Sequence, residues 1–314
     1  MKLKKPKFWD QKSPNYLAVM LWPLSIIFMF ATYLKFKKKI KYKNIKTICL
    51  GNIYVGGTGK TSLAIKFKKI LDNQNIKSCF IKKDYSKQID EQKLLSNYGK
   101  LFIDKSRSQA LKKAILEKYD FAIFDDGLQD ESIVYDIKFV CFNNINWIGN
   151  SLLIPAGPLR ESKKSLQKYK NVFLNGNNEN LDNIKNEIKK INPSLNIFES
   201  KYIPTNLEEF DIKKNYLVFS GIGNHKTFID MLKINNFNIL KDLEYPDHYN
   251  YSYTDLNDII NLSKKLNAKI VTTEKDFLRI DSSMTNDIKY IKSELQINNE
   301  DNIKKIFKNL NEQY

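Results

Sequence analysis

Histidine and cysteine are scarce in this chain: two His and three Cys in 314 residues. Cys49, Cys79 and Cys141 lie far apart, each inside an apolar run that reads as a buried strand, so none has a metal or redox spacing. They are expected to be small core residues of a reducing compartment, which puts the body of the protein in the cytoplasm. Glycine and proline are also few, with 11 and 8 residues, and no collagen-like period, heptad seam or solenoid repeat is present. With 42% hydrophobic residues, a folded chain is expected rather than a disordered one, long enough for two ordinary domains.

Negative charge is nearly absent at one end. Residues 1–46 contain twelve Lys, no Arg and a single acid, Asp10, and so carry eleven of the seventeen net positive charges. Such a patch suits nucleic acid or an anionic membrane. Between the lysines lies a run of 22 uncharged residues, Ser13 to Leu34, preceded by Lys2, Lys4, Lys5, Lys7 and Lys12 and followed by Lys35, Lys37, Lys38 and Lys39. Basic residues rather than a small-residue cleavage site follow it, which argues against a signal peptide. Both flanks are basic, so the positive-inside rule gives a spanning helix no orientation, and Pro23 would kink it. The expectation is a helix or helical hairpin lying in the interface, with Trp9, Trp22 and Tyr33 near head-group level and lysines on anionic lipid. Outside this segment no concentrated basic-aromatic surface exists for nucleic acid.

After Lys46 short apolar runs alternate with helical segments. Strands are predicted at Thr47–Leu50, Lys77–Ile81, Lys100–Ile103, Phe121–Phe124, Ile137–Phe142 and Asn171–Leu174. Helices are predicted at Ser62–Leu71, Arg107–Lys118 and near Asn180–Lys190. This is the pattern of a mostly parallel sheet covered on both faces. Ser194–Asn215 reads as a connection. The pattern then restarts at Tyr216–Phe219 and ends in a helix at Asp301–Leu310. The expected organisation is α/β: a basic, apolar membrane-associated helix over 1–45, a P-loop nucleotide-binding domain over 46–203, and a smaller α/β domain over 204–314.

GNIYVGGTGKTS, Gly51 to Ser62, stands between a predicted strand and a predicted helix, the context a phosphate-binding loop needs. Gly56, Gly57, Thr58 and Gly59 would turn backbone N–H groups toward phosphate oxygens at the positive end of a helix, with Ser62 in its first turn. Lys60 would bridge the β- and γ-phosphates of ATP and Thr61 would ligate Mg2+. The strict pattern has Gly where this chain has Tyr54. FAIFDDGLQD, Phe121 to Asp130, is an apolar strand ending in acids, and Asp125 or Asp126 would hold the metal. LLIPAGPLRES, Leu152 to Ser162, presents Arg160 and Glu161 from a turn-rich loop. Arg160 could grip a phosphate and Glu161 support the metal, or the two could form a structural ion pair.

VGGTGKT, DDGLQ, PAGPLRE, SGIGN (Ser220–Asn224), YPDHY (Tyr245–Tyr249) and TTEKD (Thr272–Asp276) follow one another here in an order that resembles the tetraacyldisaccharide 4'-kinases, the lipid A 4'-kinase family. The resemblance covers almost the whole chain and includes the missing first glycine of the loop and the apolar, basic N-terminus. It implies transfer of the ATP γ-phosphoryl group to the 4'-hydroxyl of a lipid disaccharide 1-phosphate, giving lipid IVA, by a monomer at the cytoplasmic face of the bacterial inner membrane. It also implies a catalytic pair: Asp90 of the Asp90-Glu91 motif, and His248. Two departures stand out. KKDYSKQIDEQ, Lys82 to Gln92, is shorter than the family's stretch and lacks its glycines, which leaves Asp84 as a substitute base. Asp130 follows DDGLQ where His or Asn is commoner. His225 stands where the family usually has Pro and has no expected role.

A different reading is the membrane-associated P-loop ATPase of the partition or septum-positioning type. Those proteins carry a Lys just before the paired glycines, where this chain has Val55, and tend to anchor by a C-terminal helix. A non-catalytic nucleotide-binding protein that docks on membranes is a further alternative, but Lys60, Thr61, Asp125 and Asp126 are all retained.

Overall fold

A computed structural model describes residues 5–33, 39–85, 88–178 and 180–312. The chain enters through a single 3-10 turn and helix α1 (Tyr16–Tyr33). It then winds β1 (Lys46–Gly51), α2 (Lys60–Asn73), β2 (Ser78–Lys83), α3 (Ile89–Tyr98), β3 (Leu101–Asp104), α4 (Arg107–Leu116), β4 (Phe121–Asp125), β5 (Ile137–Asn143), β6 (Asn171–Asn175), α5 (Asp182–Ile191) and β7 (Asn196–Pro204). A second run follows: β8 (Asn215–Ser220), α6 (His225–Ile234), β9 (Asn238–Glu244), α7 (Tyr253–Lys265), β10 (Lys269–Thr273), the short α8 (Glu274–Phe277), β11 (Ile288–Ile291), β12 (Ser293–Ile297) and α9 (Glu300–Glu312).

The strands form two sheets among the described residues, one in the order β12-β7-β6-β5-β1-β4-β2-β3 and one in the order β11-β10-β8-β9. All pairings in the larger sheet are parallel except the last, where β12 runs antiparallel to β7. Central strands such as β4, with all five residues buried, are continuous apolar runs because helices cover both faces. β1 lies between β5 and β4, so successive crossovers leave it in opposite directions. The crevice beyond its carboxyl end is where an open α/β sheet binds ligands.

Two segments depart from the sequence-based layout. Residues expected to be a plain connection contain β7, whose side chains alternate in burial along the strand. Its charged residues, Glu199 and Lys201, disguise a strand that exposes one edge of its pattern. The final segment, assigned by sequence to the smaller unit, returns to the larger sheet. β12 pairs with β7, and Phe307 of α9 packs edge-on against Phe67 of α2 at 5.0 Å. The second sheet is thus inserted between β7 and β12.

At the N-terminal end, α1 continues through Pro23. Ser25 anchors it: the hydroxyl donates to the carbonyl of Leu153 at 2.8 Å and accepts from the N–H of Ala156 at 3.2 Å. Trp9 Nε1 donates to Pro155 O at 3.0 Å, so the arm is docked on the Pro155–Pro158 turn. Much of the described part of α1 is apolar and turned outward: Tyr16 and Met20 are each 73% exposed, Val19 63% and Ile27 64%, while Ala18 is fully buried. No helix among the described residues is long and apolar enough to cross a membrane. Of the flanking lysines, Lys2, Lys4, Lys35, Lys37 and Lys38 lie outside the described residues. The three cysteines are buried and free, and burial pushes the Cys141 thiol up to about 12.

Candidate active site

β1 delivers the chain into the loop before α2. Gly59 sits at φ 79°, a left-handed conformation that glycine adopts without a Cβ clash, and Lys60 starts the helix. The loop is braced from beneath. Asn52 Nδ2 donates to Thr58 Oγ1 at 3.1 Å, and Asn175 Nδ2, at the end of β6, donates to Thr58 O at 2.7 Å. From the second sheet, Gly223 lies so close that a Cβ on Gly57 would stand 2.8 Å from its carbonyl carbon. The phosphate-loop motif and the SGIGN motif are therefore in backbone contact, and only glycine fits on either side.

A cleft of about 370 Å³ opens here. It is lined by the loop from Val55 to Ser62, by Asp126 and Arg160, and across from them by Asp247, His248 and Lys275. Thr61 Oγ1 donates to Asp125 Oδ2 at 3.1 Å. Lys60 Nζ stands 3.6 Å from Asp126 Oδ1, and Arg160 Nη1 is 3.1 Å from the same oxygen. Burial disfavours the Asp126 anion, but the combined charges of Lys60, Arg160, Lys82 and Arg107 outweigh it and hold the carboxyl at about 2. Asp126 itself adopts φ 60°, an uncommon turn for a residue with a side chain. Glu161 accepts from Gln129 Nε2 and from Tyr169 OH, each at 3.0 Å, and Gln129 Oε1 accepts from Arg160 Nη1 at 3.3 Å.

The Thr61 hydroxyl and Asp125 fit a magnesium ion. Asp125 Oδ1 is a buried oxygen with no hydrogen-bond partner, and hydroxyl plus carboxylate is the hard oxygen set that Mg2+ takes when phosphates supply the rest. Among the described residues no group of three or more His, Cys, Asp or Glu could hold a metal alone.

The far wall holds the second cluster. α3 presents Asp90, buried to 3% exposure, and the turn after β9 presents His248 at φ 57°. His248 Nδ1 is 2.9 Å from Asp90 Oδ2, joining residues 158 positions apart. Lys275 Nζ and Arg279 Nε each lie 3.7 Å from that oxygen. Burial opposes ionisation of Asp90, but the bond to His248 and the Lys275 and Arg279 charges prevail and lower its carboxyl below the ordinary 3.8. Glu91 is bound by Lys275 at 2.9 Å and by Lys82 at 2.6 Å. Asp276, from TTEKD, accepts from Gly221 N and Tyr251 OH, both at 2.8 Å, and so fixes α8 to SGIGN.

Asp84, the alternative base, is exposed, and its N–H is spent on Asp104 O. His225 is enclosed between Ser220 Oγ at 2.7 Å and Asp242 Oδ2 at 3.1 Å, a structural setting. Sequence reasoning missed Lys82, Lys275 and Arg279. Lys275 stood inside a recognised motif without a role. Lys82 had a signal of its own: a lysine at the end of an otherwise apolar inner strand must face an acid.

Comparison with known proteins agrees with this architecture. The family model for tetraacyldisaccharide-1-P 4'-kinase matches residues 17–312. The chain is 59% identical over 312 residues to the tetraacyldisaccharide 4'-kinase of Pelagibacter ubique, covering 99% of each. It is 35% identical to that of Rickettsia typhi, covering 98% of this chain and 99% of the other. The fold is similar to the crystal structure of LpxK from Aquifex aeolicus in complex with ATP, with a TM-score of 0.67 at 20% identity, covering 94% of this chain and 99% of that one. A phosphate loop, its acidic partner strand and a family match spanning nearly the whole sequence lead to one assignment: the chain belongs to the tetraacyldisaccharide-1-P 4'-kinase family of ATP-dependent phosphotransferases.

Proposed function

We propose that this protein transfers the γ-phosphoryl group of ATP to the 4'-hydroxyl of a tetraacyldisaccharide 1-phosphate, forming lipid IVA. The observation that carries the reading is the Asp90–His248 pair, 2.9 Å apart, with Asp90 buried directly behind His248, which lines the cleft whose floor is the phosphate loop. ATP would lie with its phosphates against Gly56–Thr61. Mg2+, held by Thr61 and Asp125, would offset phosphate charge when bound. Lys60 draws off charge at the γ-phosphoryl oxygens. Arg160 and Lys60 hold Asp126 ionised at the cleft edge, and Glu161 holds the Gln129 side chain beside Arg160.

Asp90 is kept as an anion by its neighbours, so it can accept the sugar hydroxyl proton as the oxygen attacks. An imidazole N–H of His248 donates to the carboxylate and aims it, while Nε2 lies 3.7 Å from Glu91 Oε1 and 3.8 Å from Asp247 Oδ1. The acyl chains would stay in the bilayer, with α1 lying in the interface of the cytoplasmic face of the inner membrane and lysines on anionic lipid. The protein would act as a monomer and without nucleic acid.

Phosphoryl transfer from labelled ATP to a lipid A disaccharide 1-phosphate in detergent tests the reading. Wild type is expected to label the lipid, and Lys60→Ala and Asp90→Ala to lose it. Transfer lost with Lys60→Ala but kept with Asp90→Ala would retain the kinase and reject Asp90 as base. No labelled lipid from ATP-binding wild type would reject the kinase reading.

A further inference from the structure

Lys82 is the penultimate residue of β2, its side chain 1% exposed. Its ammonium is 2.6 Å from Asp125 Oδ2 and 2.6 Å from Glu91 Oε2. Burial disfavours the charged form, yet the two carboxylates facing it outweigh burial and hold the proton in place. The side chain lies between a group of the nucleotide site, Asp125, and a group of the Asp90 helix, Glu91. Glu91 in turn contacts Lys275 at 2.9 Å, and Lys275 stands 3.7 Å from Asp90. Alternating charges thus run without a break from Thr61–Asp125 through Lys82, Glu91 and Lys275 to Asp90.

We propose that Lys82 is a positioning residue that occupies the space between Asp125 and Glu91, so that beside Thr61 a divalent cation finds one unpartnered carboxylate oxygen, Asp125 Oδ1, and is retained there only with the nucleotide's phosphates. Two carboxylates that share one ammonium at 2.6 Å each lie within about 5 Å of each other, close enough to bind a divalent ion between them if the ammonium were absent. Asp125 Oδ1, the orphan oxygen, remains for the metal that arrives with ATP. The same ammonium ties Asp125, at the end of β4, to Glu91 on α3, beside the apolar packing of Leu94 and Leu95 against Phe80 of β2. This role rests on the kinase reading for its purpose but not for its test.

Manganese titration followed by electron paramagnetic resonance reads metal retention without turnover. Wild type is expected to bind Mn2+ at least about tenfold more weakly alone than with a non-hydrolysable ATP analogue. Lys82→Met is expected to bind Mn2+ alone about tenfold more tightly than wild type, and Lys82→Met with Glu91→Gln to lose that gain. In single-turnover transfer assays, Lys82→Met should lower kcat about 30-fold while the ATP KM stays within about threefold. Wild type that holds Mn2+ equally with and without nucleotide overturns the proposal, whether or not Lys82→Met folds. So does a folded Lys82→Met whose Mn2+ affinity and kcat match wild type. Failure of wild type to phosphorylate lipid would count against the kinase reading alone, since the titration does not depend on it.

Discussion

At the scale of single residues, the cleft is organised by charges whose partners come from distant parts of the chain. Asp90→Asn retains the shape of the side chain and removes the proton acceptor. Its kcat is expected to fall by about 10²–10⁴-fold with the ATP KM little changed. His248→Gln, which can still donate one hydrogen bond, should lose less, and steady-state assays of both variants check the order. Asp126 makes a prediction about stability. Its carboxyl lies at about 2 against an ordinary 3.8, so the folded state binds its proton later than the unfolded chain does. The stabilisation is complete above pH 4 and is lost as pH falls toward 2, about 2 kcal/mol in all. Asp126→Asn should therefore lose less melting temperature than wild type between pH 4 and pH 2, as thermal melts would show.

At the scale of elements, inner strands and covering helices were legible because their burial is written as composition. β1, β4, β5 and β6 are unbroken apolar runs, and the predicted limits fall within one residue of the observed ones. The glycine loop was legible from its spacing. What was hidden has a common physical origin. β9, with most residues exposed, is an edge strand that needs no apolar face, and its ladder to β8 is invisible to local pattern. α3 carries the proposed base and was not anticipated, because its buried face includes a charged residue, Asp90, beside Leu94 and Leu95. The approach of His248 to Asp90 could be expected only from family resemblance, since no local rule links residues so far apart. α1 gives the test at this scale. Each apolar side chain turned outward from it is worth about 1–2 kcal/mol if buried in lipid. Replacing Val19, Met20 and Ile27 together by Ser should weaken flotation with anionic liposomes at least about tenfold. Retained binding would remove α1 from the membrane-associated role.

At the scale of the whole molecule, the cleft is lined from both units, Glu91 and the phosphate loop from the larger and His248 and Lys275 from the smaller, and the two touch at Gly57 and Gly223. A substrate hydroxyl must reach both, so closure of the second sheet over the first is expected when nucleotide binds. Distances between spin labels on α4 and α7 should shorten by a few ångströms with an ATP analogue; unchanged distances would reject closure. The strands that lead out to the second sheet and back are tied together, Thr205 N donating to Lys292 O at 2.9 Å, so such a movement has one axis rather than a free tether.

The return of β12 and α9 to the larger sheet also sets an order of events during synthesis. α2, which begins with Lys60, rests its Phe67 on Phe307 and its Lys66 on Glu300 at 2.8 Å. A nascent chain that already displays the whole glycine loop thus lacks the far half of the packing that holds the following helix. Domains usually mature from the amino end as they leave the ribosome, but this one cannot, because its last strand and helix are made after an entire second sheet. Ability to grip ATP is expected to arise late and in one step, when Ser293–Glu312 docks, and a chain stopped before Ser293 should bind no nucleotide although every glycine and lysine of the loop is present.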